Sequence, residues 1–82
     1  MRAVVRIDLI AGQFAAGREA TALLRAFVPD AMVILDRGQV QLASDTHSAD
    51  ELRLIWQSAL ANELLLARGA AGRAAVLEAL LA

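Results

Sequence analysis

The segment Ser48 to Arg68, SADELRLIWQSALANELLLAR, limits the possible folds more than any other stretch. Ser48, followed three residues later by Glu51, forms a capping box, in which each residue's side chain satisfies the other's backbone at a helix start. Plotted at about 100° per residue, Leu52, Ile55, Ala59 and Leu66 fall on one stripe with Trp56 beside it. This spacing predicts a long helix that buries its stripe on a layer supplied by the rest of the chain. Asp50, Arg53, Gln57 and Arg68 cluster on the opposite side, but Leu54, Ala61, Leu64 and Leu65 also lie off the stripe. The second half of this helix is therefore apolar nearly all round.

The preceding residues read as that layer. Ala3 to Ile10 alternate, with Val5, Ile7 and Leu9 on one side and Arg6 and Asp8 on the other, the period of a half-buried strand. Gly12 and Gly17 bracket a loop. Arg18 to Val28 then places Ala20, Leu23, Leu24 and Phe27 on the inner face of an amphipathic helix, with Arg18, Thr21 and Arg25 turned away. Pro29 ends it. Ala31 to Leu35 is apolar on both faces, as in a strand covered on each side, and Asp36-Arg37-Gly38 is a tight-turn signal leading into the alternating Gln39 to Ala43.

A helix between the first two strands permits a right-handed parallel crossover. The simplest sheet order therefore puts the second strand in the middle, and insertion of the third strand between the other two is the alternative. Gly69 and Gly72 mark a break of the C-cap kind, after which Arg73 to Leu81, with Val76, Leu77, Leu80 and Leu81, reads as a short helix folded back. The expected architecture is one α+β domain over residues 1–82, in the order β-α-β-β-α-α, with a small three-stranded mixed sheet packed against helices.

Composition matters because this core is small. A chain of 82 residues buries only about two-thirds of the surface it exposes when unfolded. Yet 59% of the residues are hydrophobic and the mean hydropathy is +0.53. No apolar run reaches the roughly 20 residues of a membrane span, and the first residues lack the apolar core of a signal peptide. The surplus is expected to meet protein, as a homo-oligomer or a subunit of a larger complex. Eight basic residues, all Arg, against nine acidic ones leave no field to recruit nucleic acid. The absence of cysteine removes disulfide and thiolate chemistry and fits a cytoplasmic setting.

Candidate chemistry is sparse. Asn62 and Glu63 flank the apolar stripe, where a carboxylate could act as acid or base, but Glu63 has no second acid, base or nucleophile in the pattern around it. His47 is the only histidine and lacks the ligand spacing of a metal site. Asp45, Asp50 and Glu51 sit at a helix start, where the dipole favours acids. Ser44, Ser48 and Ser58 have no accompanying His–Asp pattern. Gly12 and Gly17 have the spacing of a phosphate-binding loop, but Arg18-Glu19 follow where Lys and Ser or Thr are needed. No catalytic residue, cofactor or metal is expected.

The stretch Leu60-Ala-Asn-Glu-Leu-Leu-Leu66 resembles the LLNDYxLRE signature of the HxsD family, small proteins of the His-Xaa-Ser peptide-modification systems. Leu60, Asn62 and Leu66 match identically and Glu63 conservatively; Ala61 replaces Leu, Leu64 replaces Tyr, and Ala67-Arg68 stands where Arg-Glu is expected. The order of elements also looks like that family. The resemblance implies a bacterial accessory subunit without catalysis of its own, working beside a radical SAM enzyme that modifies a ribosomally made peptide.

The expected function is thus non-enzymatic: a protein-interaction subunit of a peptide-modifying complex that binds an enzyme or a precursor peptide. The residues expected to meet the partner are Trp56, Asn62, Glu63, Leu64, Leu65, Val76 and Leu80, with a free strand edge. Glu63 in an apolar pocket of a small-ligand-binding protein or enzyme is the alternative. A DNA-binding dimer is disfavoured by the charge balance.

Overall fold

The computed structural model describes the backbone of residues 2–81 and the side chains of residues 2–66. In chain order the elements are β1 (Ala3–Asp8), a 3-10 turn (Ala11–Gln13), α1 (Phe14–Phe27), β2 (Ala31–Asp36), β3 (Gln39–Ser44) and α2 (Ala49–Leu81). The α+β class and the β-α-β-β-α order are those expected from the sequence. The sheet takes the alternative order, β1-β3-β2, with the third strand inserted between the other two, and both pairings are antiparallel, so it is not mixed as expected. β3, not β2, is central.

The residues explain why. On one face the register aligns Val5, Leu42 and Val33 in one row and Ile7, Val40 and Leu35 in the next. Val40 and Leu42 on β3 are completely buried, flanked by apolar partners from both neighbours. With β2 in the middle these two would stand at an edge. The hairpin that joins β2 to β3 turns through Arg37 (φ 51°) and Gly38 (φ 80°), a two-residue connection with both central φ angles positive that matches the twist of the flanking strands.

Both helices lie on this apolar face. Val5, Val33, Val40 and Leu42 of the sheet meet Ala16, Ala20 and Leu24 of α1 and Leu52, Trp56, Ala59 and Leu60 of α2 in one core. Each large side chain buried there contributes roughly 1.5–3 kcal/mol. The other face is uncovered by any described element. It presents Val4, Met32 and Ile34 among Arg6, Asp8, Gln39 and Gln41, so β2 is covered on one side only.

α1 begins four residues earlier than expected, at Phe14, and Gly17 belongs to its buried face rather than to a loop. A Cβ at Gly17 would lie 2.7 Å from Leu9 Cδ1, so glycine permits this close approach of α1 to the chain leaving β1. Thr21, expected to face outward, is buried, its hydroxyl donating to the Gly17 carbonyl at 2.8 Å. Phe27, expected to face inward, is 77% exposed as the last residue of α1.

The capping box of α2 is present: Glu51 N–H donates to Ser48 Oγ and Ser48 N–H to Glu51 Oε1, each at 3.2 Å. The inward stripe is Leu52, Trp56, Ala59 and Leu60, rotated from the expected one, and Leu66 is 73% exposed. Trp56 is the largest core side chain and draws the stripe towards itself. The helix does not break at Gly69 or Gly72; it runs 33 residues as a single element, and no separate helix folds back. Two helical glycines cost about 1 kcal/mol each. Their Ala and Leu neighbours are strong helix formers that offset this cost.

Candidate interaction surfaces

The residues singled out in the sequence separate into four groups. Trp56 is in the core, 1% exposed, and so is not at a surface where a partner could touch it. Leu64 and Leu65 are half-buried rather than outward, and Leu64 packs against the core cluster. Asn62 and Glu63 fall in two different grooves between α1 and α2. Val76 and Leu80 lie outside the residues whose side chains are described.

The first groove, about 460 Å³, runs between the C-terminal half of α1 and the N-terminal half of α2. Leu23, Leu24, Phe27, Leu54, Ile55 and Ala59 supply its apolar lining, with only Ser58 and Asn62 as polar side chains. Phe27 and Leu54, 77% and 64% exposed, stand on its rim. Leu54 was visible in the sequence as a leucine off the stripe. Phe27 was not, because its helical spacing matches the inner face and only the end of α1 at Pro29 turns it outward.

The second groove, about 580 Å³, has Glu63 and Leu66 on α2 facing Ala15, Ala16, Arg18 and Glu19 on α1. Glu63 is half-buried and shares this space with a cation and a second carboxylate, so the groove is not the apolar pocket that the ligand-binding alternative assumed.

A polar cluster joins the turn before β2 to the start of α2. His47 Nε2 lies 3.2 Å from Asp30 Oδ2 and Nδ1 3.3 Å from Glu51 Oε2, so both ring nitrogens face carboxylates. Thr46 Oγ1 donates to Asp30 Oδ2. Ser44, buried at the end of β3, accepts from the backbone N–H groups of Thr46 at 3.0 Å and His47 at 3.1 Å. The Thr46 hydroxyl beside Asp30 is the main cause holding that carboxyl below its usual range, with the backbone and His47 adding to it. The Ser48 N–H does the same for Glu51, followed by His47 and the Ser48 hydroxyl.

Asp30 Oδ2, both Glu51 oxygens, both His47 ring nitrogens and the Ser44, Thr46 and Ser48 hydroxyls all have partners within the cluster. The cluster clasps two loops, with Ser44 and Ser48 spent on backbone bonds rather than poised as nucleophiles. Among the described residues no group of three or more His, Cys, Asp or Glu is arranged to hold a metal ion. Asp30 had no local signal; the fold carries it 17 positions along the chain to His47.

The sheet edges differ. Leu9 N–H donates to Gly38 O at 2.7 Å, which fixes the alternation along β1: odd-numbered residues bond to β3, and the backbone groups of Val4, Arg6 and Asp8 point outward. On the other edge, Val33 O accepts two bonds from the Arg25 guanidinium, at 3.2 Å from Nε and 2.8 Å from Nη2. Arg25 thus blocks the middle of β2, while no comparable side chain covers β1 among the described residues.

Among the described residues, the fold and these surfaces define a small α+β domain with an uncovered sheet face, an open strand edge and an apolar interhelical groove. No family model, curated protein or solved structure matches the chain. No helix among the described residues is long and apolar enough to cross a membrane.

Proposed function

We propose that this chain is a non-catalytic protein-interaction subunit whose α1–α2 groove receives an apolar segment of a partner protein or peptide. The observation that carries the reading is the groove itself. Six of its eight lining residues are apolar, and two large ones, Phe27 and Leu54, are left mostly in water at its rim. Such surface is costly to leave exposed and gains by being covered.

The resemblance of Leu60 to Leu66 to the HxsD signature extends this reading to a cytoplasmic peptide-modifying complex, with a radical SAM enzyme or its precursor peptide as the partner. Asn62, the identically matched polar residue of that signature, lines the same groove. The test is co-purification from cells expressing the chain with the proteins encoded beside it. Wild type should retain a peptide-modifying enzyme or precursor peptide, and Leu54→Asp and Phe27→Asp should lose it at least tenfold while keeping the far-ultraviolet circular dichroism of the wild type. Equal retention by both variants would refute the assignment of the groove.

A further inference from the structure

We infer that β1 pairs with β1 of a second copy of this chain, in one antiparallel register, to form a continuous six-stranded sheet. The evidence is the order of the even-numbered side chains, Val4, Arg6 and Asp8 on the uncovered face and Ile10 next in the same alternation, which read apolar, cation, anion, apolar. All four are exposed, and Ile10, 69% exposed, keeps an extended backbone at φ −80° and ψ 160° although it lies beyond the last paired residue of β1. Placed antiparallel to itself about Ile7, this series is its own complement. Val4 stands opposite Ile10 of the second copy, Arg6 opposite Asp8, and the same two oppositions recur across the twofold axis. On the helix-covered face Ile7, half-buried in the single chain, meets its own counterpart.

Backbone geometry selects the same register. Since Val4, Arg6 and Asp8 direct their N–H and C=O groups away from β3, only registers that oppose even-numbered residues to even-numbered residues form hydrogen bonds. Centring the pair on residue 6 sets Arg6 against Arg6, and centring it on residue 8 sets Asp8 against Asp8. Centring it on Val5 sets the Arg6 charge opposite Val4 and leaves Asp8 only Arg2, which precedes β1 and lies 3.7 Å from Asp45; Asp8 itself accepts from Gln39 Nε2 at 3.0 Å through one of its two carboxylate oxygens. Centring it on Ile7 alone satisfies all four positions. Arg6 and Asp8 of the two copies then exchange four backbone bonds. The Ile10 backbone takes no part, because its N–H already donates to Gln13 Oε1 and its carbonyl accepts from Gln13 N–H.

Charge on an edge strand normally keeps other strands away. A single charged residue would repel its own copy, whereas Arg6 and Asp8 two positions apart attract theirs in this register and repel in the two neighbouring ones. β2 shows the contrast, its middle carbonyl being blocked by Arg25.

None of these residues lines the α1–α2 groove, so the test separates this surface from the partner site. Light scattering and sedimentation of the purified chain should show a dimer. Arg6→Asp and Asp8→Arg should each weaken it roughly tenfold or more, by turning two attractive oppositions into repulsive ones, and Arg6→Asp/Asp8→Arg together should restore it. Leu54→Asp should leave the dimer intact. Because the chain has no cysteine, Ile7→Cys should cross-link to its copy on mild oxidation, facing it as a non-hydrogen-bonded pair with closely approaching Cα atoms. A monomer at about 100 micromolar, where mass action would populate even a weak dimer, overturns the inference. So does a dimer insensitive to both charge reversals, or an Arg6- and Asp8-dependent binding of a foreign strand by a chain that stays monomeric.

Discussion

Trp56→Phe is expected to leave stability within about 1 kcal/mol of wild type, although Trp56 is the largest side chain in the core. Two opposing terms set this value. Replacing the indole by a phenyl ring removes two buried ring carbons besides the nitrogen, a loss of roughly 1.6 kcal/mol at about 0.8 kcal/mol per carbon. Against it, Trp56 Nε1 is buried with no hydrogen-bond partner among the described residues, and an orphaned donor of this kind costs about 1–3 kcal/mol. Phenylalanine removes that donor. Trp56→Ala has no such offset and should cost about 3–5 kcal/mol, against a total of roughly 4–12 kcal/mol for a chain of 82 residues.

The assay is urea unfolding followed by far-ultraviolet circular dichroism. Fluorescence serves only the wild type, because Trp56 is the sole tryptophan and there is no tyrosine. Protein concentration must be held constant across variants, since any self-association adds to apparent stability. If Trp56→Phe costs as much as Trp56→Ala, the indole N–H has an acceptor and the reasoning fails.

Three further outcomes follow from the geometry. Arg37→Asn should stabilise the hairpin by about 0.5–1 kcal/mol, seen as a Tm rise of a few degrees, because Arg37 holds a φ of 51° that Asn adopts more readily. Gly17→Ala should destabilise the wild type by about 1 kcal/mol, as a crowding cost of about 1–3 kcal/mol against Leu9 outweighs a helix-propensity gain near 1 kcal/mol, and should stabilise a Leu9→Ala background, where the obstacle is gone. Asp30 and Glu51 are both held below the usual carboxylate range, so the unfolded chain takes up protons first as pH falls. Their stabilisation is present above about pH 5 and is lost below it as the folded carboxyls titrate; Thr46→Val should make that acid loss shallower, measured by the urea midpoint from pH 7 to pH 3.

Local signals located most elements and failed where distant residues decided the outcome. The period of β1, the turn at Arg37-Gly38 and the Ser48–Glu51 capping box each depend on neighbours within a few positions, and each is found where the sequence puts it. The strand order was not legible, because the apolar run Ala31 to Leu35 looks the same whether both faces are covered or one is left in water. Helical spacing sets Ile55 and Leu66 in the stripe with Trp56 beside it, but spacing takes no account of size, and the large indole is the side chain that turns to the core. Glycine signals misled twice: Gly17 is a packing glycine inside α1, and Gly69 and Gly72 interrupt nothing in α2. Of the surfaces, Leu54 and the alternation of Arg6 and Asp8 were readable, whereas Phe27, Asp30 and the Arg25–Val33 contact exist only once the chain has folded.

The crossover that carries the chain from β1 to β2 past β3 also decides which surfaces remain. It brings the last turn of α1 beside β2, so Arg25 can close that edge, and it leaves Phe27 overhanging the groove with Leu54. Among the described residues β1 receives no such cover, and its outward side chains complement themselves. Antiparallel pairing of two β1 strands about an axis perpendicular to the sheet keeps both helix layers on the same side. The pair of chains then presents two α1–α2 grooves facing one way, with neither groove obstructing the joined edge. A partner that offers two apolar segments, such as a dimeric enzyme, would bind the second groove at an effective concentration set by the first, raising its apparent affinity by roughly 10²-fold or more without a new kind of contact. Arg6→Asp should therefore weaken capture of a bivalent partner while leaving the affinity for a single isolated segment unchanged, and Leu54→Asp should abolish both.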